Sequence, residues 1–145
     1  MNATRRMTRG GFSLVELAVV VVIFGVLAAF AAPRFRASVE RSKASQAFNY
    51  LAAVQAAQER YHARRGTYAN DLDTLEIKLS MPEYFSIGSL AAGSTGDLED
   101  SWTLSLTRFG PAAGYGEYTV TFNEEGFDEE DSTIVEHPDI NPMQT

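Results

Sequence analysis

No cysteine occurs anywhere in the 145 residues. That excludes a disulfide as a brace for the fold and excludes thiol chemistry, but it does not assign a compartment. Histidine is nearly absent too. His62 and His137 are the only two, and neither sits in the spacing of a metal-ligand set. No nucleophile elbow or phosphate loop is present. Neither an enzyme nor a cofactor is therefore expected. Cations are in deficit: 12 Lys and Arg face 19 Asp and Glu, for a net charge of −7. A chain this acidic is a poor non-specific binder of nucleic acid or anionic lipid, and no direct nucleic-acid binding is expected.

Charge is missing most conspicuously between Phe12 and Ala32, where Glu16 is the only ionisable side chain in 21 residues. As a helix this run is about 30 Å long, the thickness of a bilayer core. Arg5, Arg6 and Arg9 precede it. A secretory signal cut at the small residues Ala29–Pro33 fits the basic start, but the run exceeds a usual apolar core of about 7–15 residues and contains an acid. A plain N-terminal anchor, with Glu16 snorkelling to the interface, fits the length. A third possibility puts the processing site before the run.

The residues carry a resemblance that favours the third. A short basic leader, then Gly11-Phe12-Ser13-Leu14-Val15-Glu16, then an unbroken apolar stretch ending in Ala31-Ala32-Pro33, resembles the N-terminus of type IV pilins and of type II secretion pseudopilins. The closer likeness covers residues 5–36, and a looser one continues to Leu75. It implies cleavage after Gly11 by a prepilin peptidase and N-methylation of the new terminal amine on Phe12. It also implies an assembly role for Glu16, paired with the Phe12 amine of a neighbouring subunit. Implied partners are other pilin or pseudopilin subunits, the peptidase, an inner-membrane assembly platform and membrane lipid. The implied location is the bacterial inner membrane, single-pass with a cytoplasmic N-terminus, followed by a periplasmic pseudopilus or a surface pilus. Lack of cysteine departs from the many major pilins closed by a C-terminal disulfide, so the subtype stays open.

Simple physics is consistent with that role. Phe12 and Glu16 are four residues apart, which sets an amine and a carboxylate on one helical face. An acid in the first turn is also favoured by the helix dipole. Orientation is not given by charge counting, because Arg34, Arg36, Arg41 and Lys43 follow the run. Pro33 lacks an N–H and is expected to kink or interrupt the helix. Gly25 is a second weak point; the resemblance implies a site of unwinding on assembly, and close helix packing is the alternative.

From Arg34 to Arg65 the apolar positions recur at three and four: Phe35, Val39, Ala47, Tyr50, Leu51, Val54, Ala57 and Tyr61. Glu40, Arg41, Lys43, Gln55, Glu59 and Arg60 fall between them, giving an amphipathic helix that Gly66 should end. Tyr68, Leu72 and Leu75 are expected to pack a loop beneath it. The C-terminal half changes to period two. Trp102, Leu104 and Leu106 define one half-buried strand, and Tyr118, Val120 and Phe122 define another. Residues 110–116 join the two, residues 83–90 form a weaker third strand, and 91–97 form a loop. His62 is expected on the exposed helix surface and His137 in a loop.

The acidic run Asn123–Ser132 reads as a turn and a solvated surface. A calcium loop centred on Gly126 needs acids at its first and last ligand positions, which here are Thr121 and Ser132. Asn123, Glu125 and Asp128 are weak calcium candidates only. The fold class is α+β: a long N-terminal helix, apolar then amphipathic, packed against a C-terminal antiparallel sheet. The expected divisions are a leader, 1–11, a membrane and filament-core helix, 12–33, and a globular domain, 34–145. The function that follows is a structural filament subunit. The rival is a monomeric periplasmic binding module, either membrane-anchored or secreted after a cut near Ala31.

Overall fold

A computed structural model describes residues 11–144 of the chain. One helix, α1, runs Leu14–Arg65, and a 3-10 turn follows at Leu72–Leu75. Four strands come next: β1 Phe85–Ile87, β2 Thr103–Arg108, β3 Thr119–Asn123 and β4 Gly126–Asp128. A second 3-10 turn, Thr133–Glu136, precedes the C-terminus. The fold is α+β, a long N-terminal helix followed by an antiparallel sheet. The chain divides into two compact units, one up to Phe35 and one from Arg36 onward.

The described part of the first unit is helix with no core. Every residue from Gly11 to Phe35 is exposed, including Phe12 at 82% and Phe30 at 72%. Leucine, alanine and valine dominate, so the backbone satisfies itself by local hydrogen bonds while the side chains face outward.

The second unit is built by two periodicities meeting. Along α1 the buried positions Glu40, Ala44, Ala47, Leu51, Val54 and Gln58 step by four and three, a single stripe on one face. Phe48, Tyr50 and Ala57 widen it. The sheet is an antiparallel meander in the order β1-β2-β3-β4. Its central pairing sets Leu104 opposite Phe122 and Leu106 opposite Val120. Leu104, Leu106 and Val120 are fully buried, and with Trp102, Tyr118, Phe122 and the helix stripe they form the core. Phe48 meets Phe122 edge-on and also lies against Phe127. Full burial of each such side chain is worth about 1.5–3 kcal/mol.

Gly66 ends α1 in the left-handed region at φ +74°, and its N–H closes the last turn on the His62 carbonyl. Tyr68 and Leu75 are buried and Leu72 is packed against the core, so the loop lies under the helix as its spacing predicts.

Three expectations need correction. Phe35 and Val39 are 70% and 40% exposed, because the buried stripe begins only at Glu40. Glu40, expected on the polar face, is instead 1% exposed. The acidic run is more than a turn and a wet surface, since it contains β4, whose Phe127 packs on the core. A two-residue hairpin over Glu124 and Glu125 pairs Asn123 with Gly126. Thr121 is buried as well: its N–H donates to the Ser132 hydroxyl, and its own hydroxyl donates to the Asp131 carbonyl. Side-chain oxygens of Ser132 and Thr133 thus serve the edge of β3 beyond the end of β4.

Candidate functional site: the start of the helix

The segment that carries the processing and assembly motif is short and fully exposed. Gly11, Phe12 and Ser13 precede the first helical residue, Leu14. Among the described residues, a side chain added at Gly11 would meet nothing within 4 Å. Glu16 lies in the first turn of α1, the end at which the dipole favours an acid.

Glu16 has a partner within its own chain. Its Oε2 accepts the backbone N–H of Ser13 at 2.9 Å, and the Ser13 hydroxyl accepts the N–H of Val15 at 3.3 Å. Together these resemble a capping box, with serine at the N-cap and glutamate three residues on. Two of the four N–H groups left free at a helix start are thereby satisfied. The Ser-x-x-Glu spacing was available in the sequence, and the carboxylate serves the cap of its own helix.

Downstream, α1 passes through Gly25 and Pro33 without a break. An interruption at Pro33, one of the two effects expected there, is not seen in this state. Added bulk at Gly25 would meet nothing within 4 Å.

A second ionic constellation lies in the globular unit and was not anticipated from the sequence. Arg108, the last residue of β2, is 1% exposed and forks onto Glu40. Its Nε donates to Oε1 at 2.6 Å and its Nη2 to Oε2 at 3.2 Å. The Tyr118 hydroxyl donates to Oε1 at 3.0 Å. The remaining guanidinium donors go to the carbonyls of Tyr84, Phe109 and Pro111. Burial pushes the Glu40 carboxyl up, but Arg108, Tyr118 and the nearby Lys43 outweigh it and hold it below its usual 4.5. Hydrogen bonding to Glu40 raises Arg108 further. Burial, reinforced by the Glu40 charge, raises Tyr118. Period two does contain the signal, since Arg108 continues the inward parity of Trp102, Leu104 and Leu106. Glu40 likewise sits four residues before Ala44 on the buried stripe.

Of the calcium candidates, Asn123 and Asp128 are brought together and Glu125 is left exposed. Asn123 Nδ2 donates to Asp128 Oδ2 at 2.8 Å. Asp128 Oδ1 accepts the N–H groups of Glu130 and Asp131, and Asn123 Oδ1 accepts that of Glu125. These oxygens are organised around their own loop. Among the described residues, no three Asp, Glu or His side chains are gathered as a metal set. His62 is half-buried rather than fully exposed, stacked on Tyr68 at 4.3 Å, and its Nε2 lies 3.0 Å from the Glu99 carbonyl. His137 packs edge-on against Tyr115 and Tyr118 near the C-terminus.

Residues 6–32 match the family described as a prokaryotic N-terminal methylation motif. Among curated relatives, fimbrial protein EcpC of Eikenella corrodens is 32% identical over 93 residues, 63% of this chain and 61% of that one. Type II secretion system core protein G of Pseudomonas aeruginosa is 32% identical over 78 residues, 54% of this chain and 55% of that one. The type IV narrow pilus major component PilA5 of Thermus thermophilus is 33% identical over 97 residues, 67% of this chain and 77% of that one. The match thus spans less than two thirds of the first two relatives and more than two thirds of the third. The chain belongs to the family of type IV pilins and type II secretion pseudopilins.

Proposed function

We propose that this chain is a structural, non-enzymatic subunit of a type IV pilus or a type II secretion-like pseudopilus. A prepilin peptidase cuts after Gly11, the Phe12 amine is methylated, and the helix holds the subunit in the inner membrane with its N-terminus in the cytoplasm. An assembly platform then moves it into a filament, where each Glu16 meets a neighbour's Phe12 amine.

One observation carries this reading. A stretch of helix long and apolar enough to cross a membrane begins at Leu14, two residues after the proposed cut, and its side chains are exposed all round as far as Phe35. Such a surface needs an apolar surrounding, and lipid and a bundle of identical helices both supply one. The methylation-motif match over residues 6–32 and the pilin and secretion relatives support the same reading.

N-terminal sequencing and intact mass of the protein from its native host test it. The expected product begins at N-methylated Phe12. A start at Ala32 would instead show a secreted domain, and an unprocessed chain a plain anchor for a monomeric module.

A further inference from the structure

The turns of α1 that follow the apolar run contain five charged side chains: Arg34, Arg36, Glu40, Arg41 and Lys43. Read as a sequence, Glu40 offsets these cations, lying four residues from Arg36 and three from Lys43. The structure removes it from that role. Glu40 is turned inward and bound by Nε and Nη2 of Arg108, so its charge is answered from the sheet. Lys43 keeps a 3.6 Å contact with Glu40 and lies over the Tyr84 ring. Among the described residues, Arg34 and Arg36 have no ion pair, and Arg41 gives one arm to the Gln144 carbonyl, which does not neutralise it.

What remains is a cationic collar. Arg34, Arg36 and Arg41 fall within eight residues of sequence, and a helical rise over that length is about 10 Å, comparable to the headgroup zone outside a bilayer core. Phe35, 70% exposed, sits between the first two, an aromatic ring at the depth where such rings gather.

We infer that Arg34, Arg36 and Arg41, with Phe35, bind the headgroups of anionic phospholipid in the leaflet from which α1 emerges. This rests on the membrane insertion proposed above. Charge complementarity and direct continuity with the apolar run select lipid as the occupant. The acidity of the remainder of the chain excludes broad adsorption but not this contact, since it is screened beyond about 8 Å at physiological salt. A cation at an anionic surface is worth about fivefold in local lipid preference. The collar therefore retains the subunit in anionic lipid, and leaving for the filament must overcome that preference.

The test uses the full chain carrying Phe35→Trp in vesicles of phosphatidylcholine mixed with phosphatidylglycerol, with one lipid brominated at a time. Bromine quenching of the new tryptophan reports which lipid surrounds it, and the buried Trp102 supplies a constant background. The expected result is a severalfold preference for phosphatidylglycerol. High salt should reduce it, and the combined Arg34→Gln, Arg36→Gln and Arg41→Gln change should bring it close to one. No preference in the parent, or one untouched by the three substitutions, overturns the collar while leaving insertion intact. Unaltered lipid preference with loss of filaments would place these cations against a neighbouring subunit's acidic surface instead, and also overturns it. Quenching by neither lipid would mean that the helix is not in the bilayer, which defeats the insertion reading as well.

Discussion

Glu16 and Glu40 stand near the starts of the two halves of α1, and the two are handled in opposite ways. Glu16 stands on an exposed helix with no core and closes the first turn of its own backbone. Glu40 is sealed between helix and sheet and is held by Arg108 and Tyr118. The first carboxylate is exposed and free to exchange partners. The second is shut away and is part of what makes the globular unit one structure. A buried ion pair is weak evidence for net stability, because desolvation offsets much of the attraction. Its visible consequence is register: Arg108 can reach Glu40 only when β2 and α1 are set as they are.

That contrast can be broken most sharply at the buried pair. Arg108→Ala leaves Glu40 charged and enclosed, and should cost about 3–5 kcal/mol in thermal or denaturant unfolding of the full chain in detergent. Replacing both partners with apolar residues, Glu40→Leu with Arg108→Met, should restore most of the loss. If the double variant is no better than the single, enclosed charge is not the cause. At the other end, Glu16→Ala should leave that unfolding transition unchanged. Insertion and cleavage should persist, yet sheared filaments from the native host should fall strongly against the membrane pool. Normal filament yield would remove the role assigned to Glu16.

Core truncation compares the two regions next. Leu51→Ala in the buried stripe should cost about 2–5 kcal/mol, while Val21→Ala in the exposed run should leave the melt within error. Equal effects would mean that the apolar run contributes to the globular core. The pH dependence is smaller. A carboxyl held below its ordinary value adds stability that is fully present above pH 4.5 and is lost as pH falls through the depressed value. The parent should therefore lose part of its advantage over Glu40→Gln in acid, with the loss confined to pH below 4.5. An advantage that grows on acidification would contradict the assignment. Smallest of all, Ser13→Ala should remove about 1 kcal/mol from the helix start alone, seen as faster amide exchange near Leu14 with no change in global melting.

The acidic run offers a separate comparison with its calcium-loop alternative. Its oxygens already serve Asn123, Glu125, Glu130 and Asp131 within the loop, so calcium and chelator should move the melting temperature little. A large chelator-reversible stabilisation would overturn that reading.

By itself the sequence determined those features whose cause is local. The apolar run with its single acid, the three- and four-residue spacing of Ala47, Leu51 and Val54, the Gly66 stop, and the alternation in β2 and β3 all arise from backbone geometry acting over a few residues. The processing motif is local in the same sense, and so is the Ser13–Glu16 cap, whose spacing the sequence contains. Tertiary structure decided the rest. Val39 has the phase of a core residue but stays 40% exposed, since the buried stripe begins one residue later. β4 is three residues long and became a strand only through pairing with β3. Glu40 and Arg108 are 68 residues apart, and although each falls on the inward phase of its own element, nothing local reveals the partner it meets there. A charge enters a core only where a distant partner meets it there, and that meeting exists only once helix and sheet have packed.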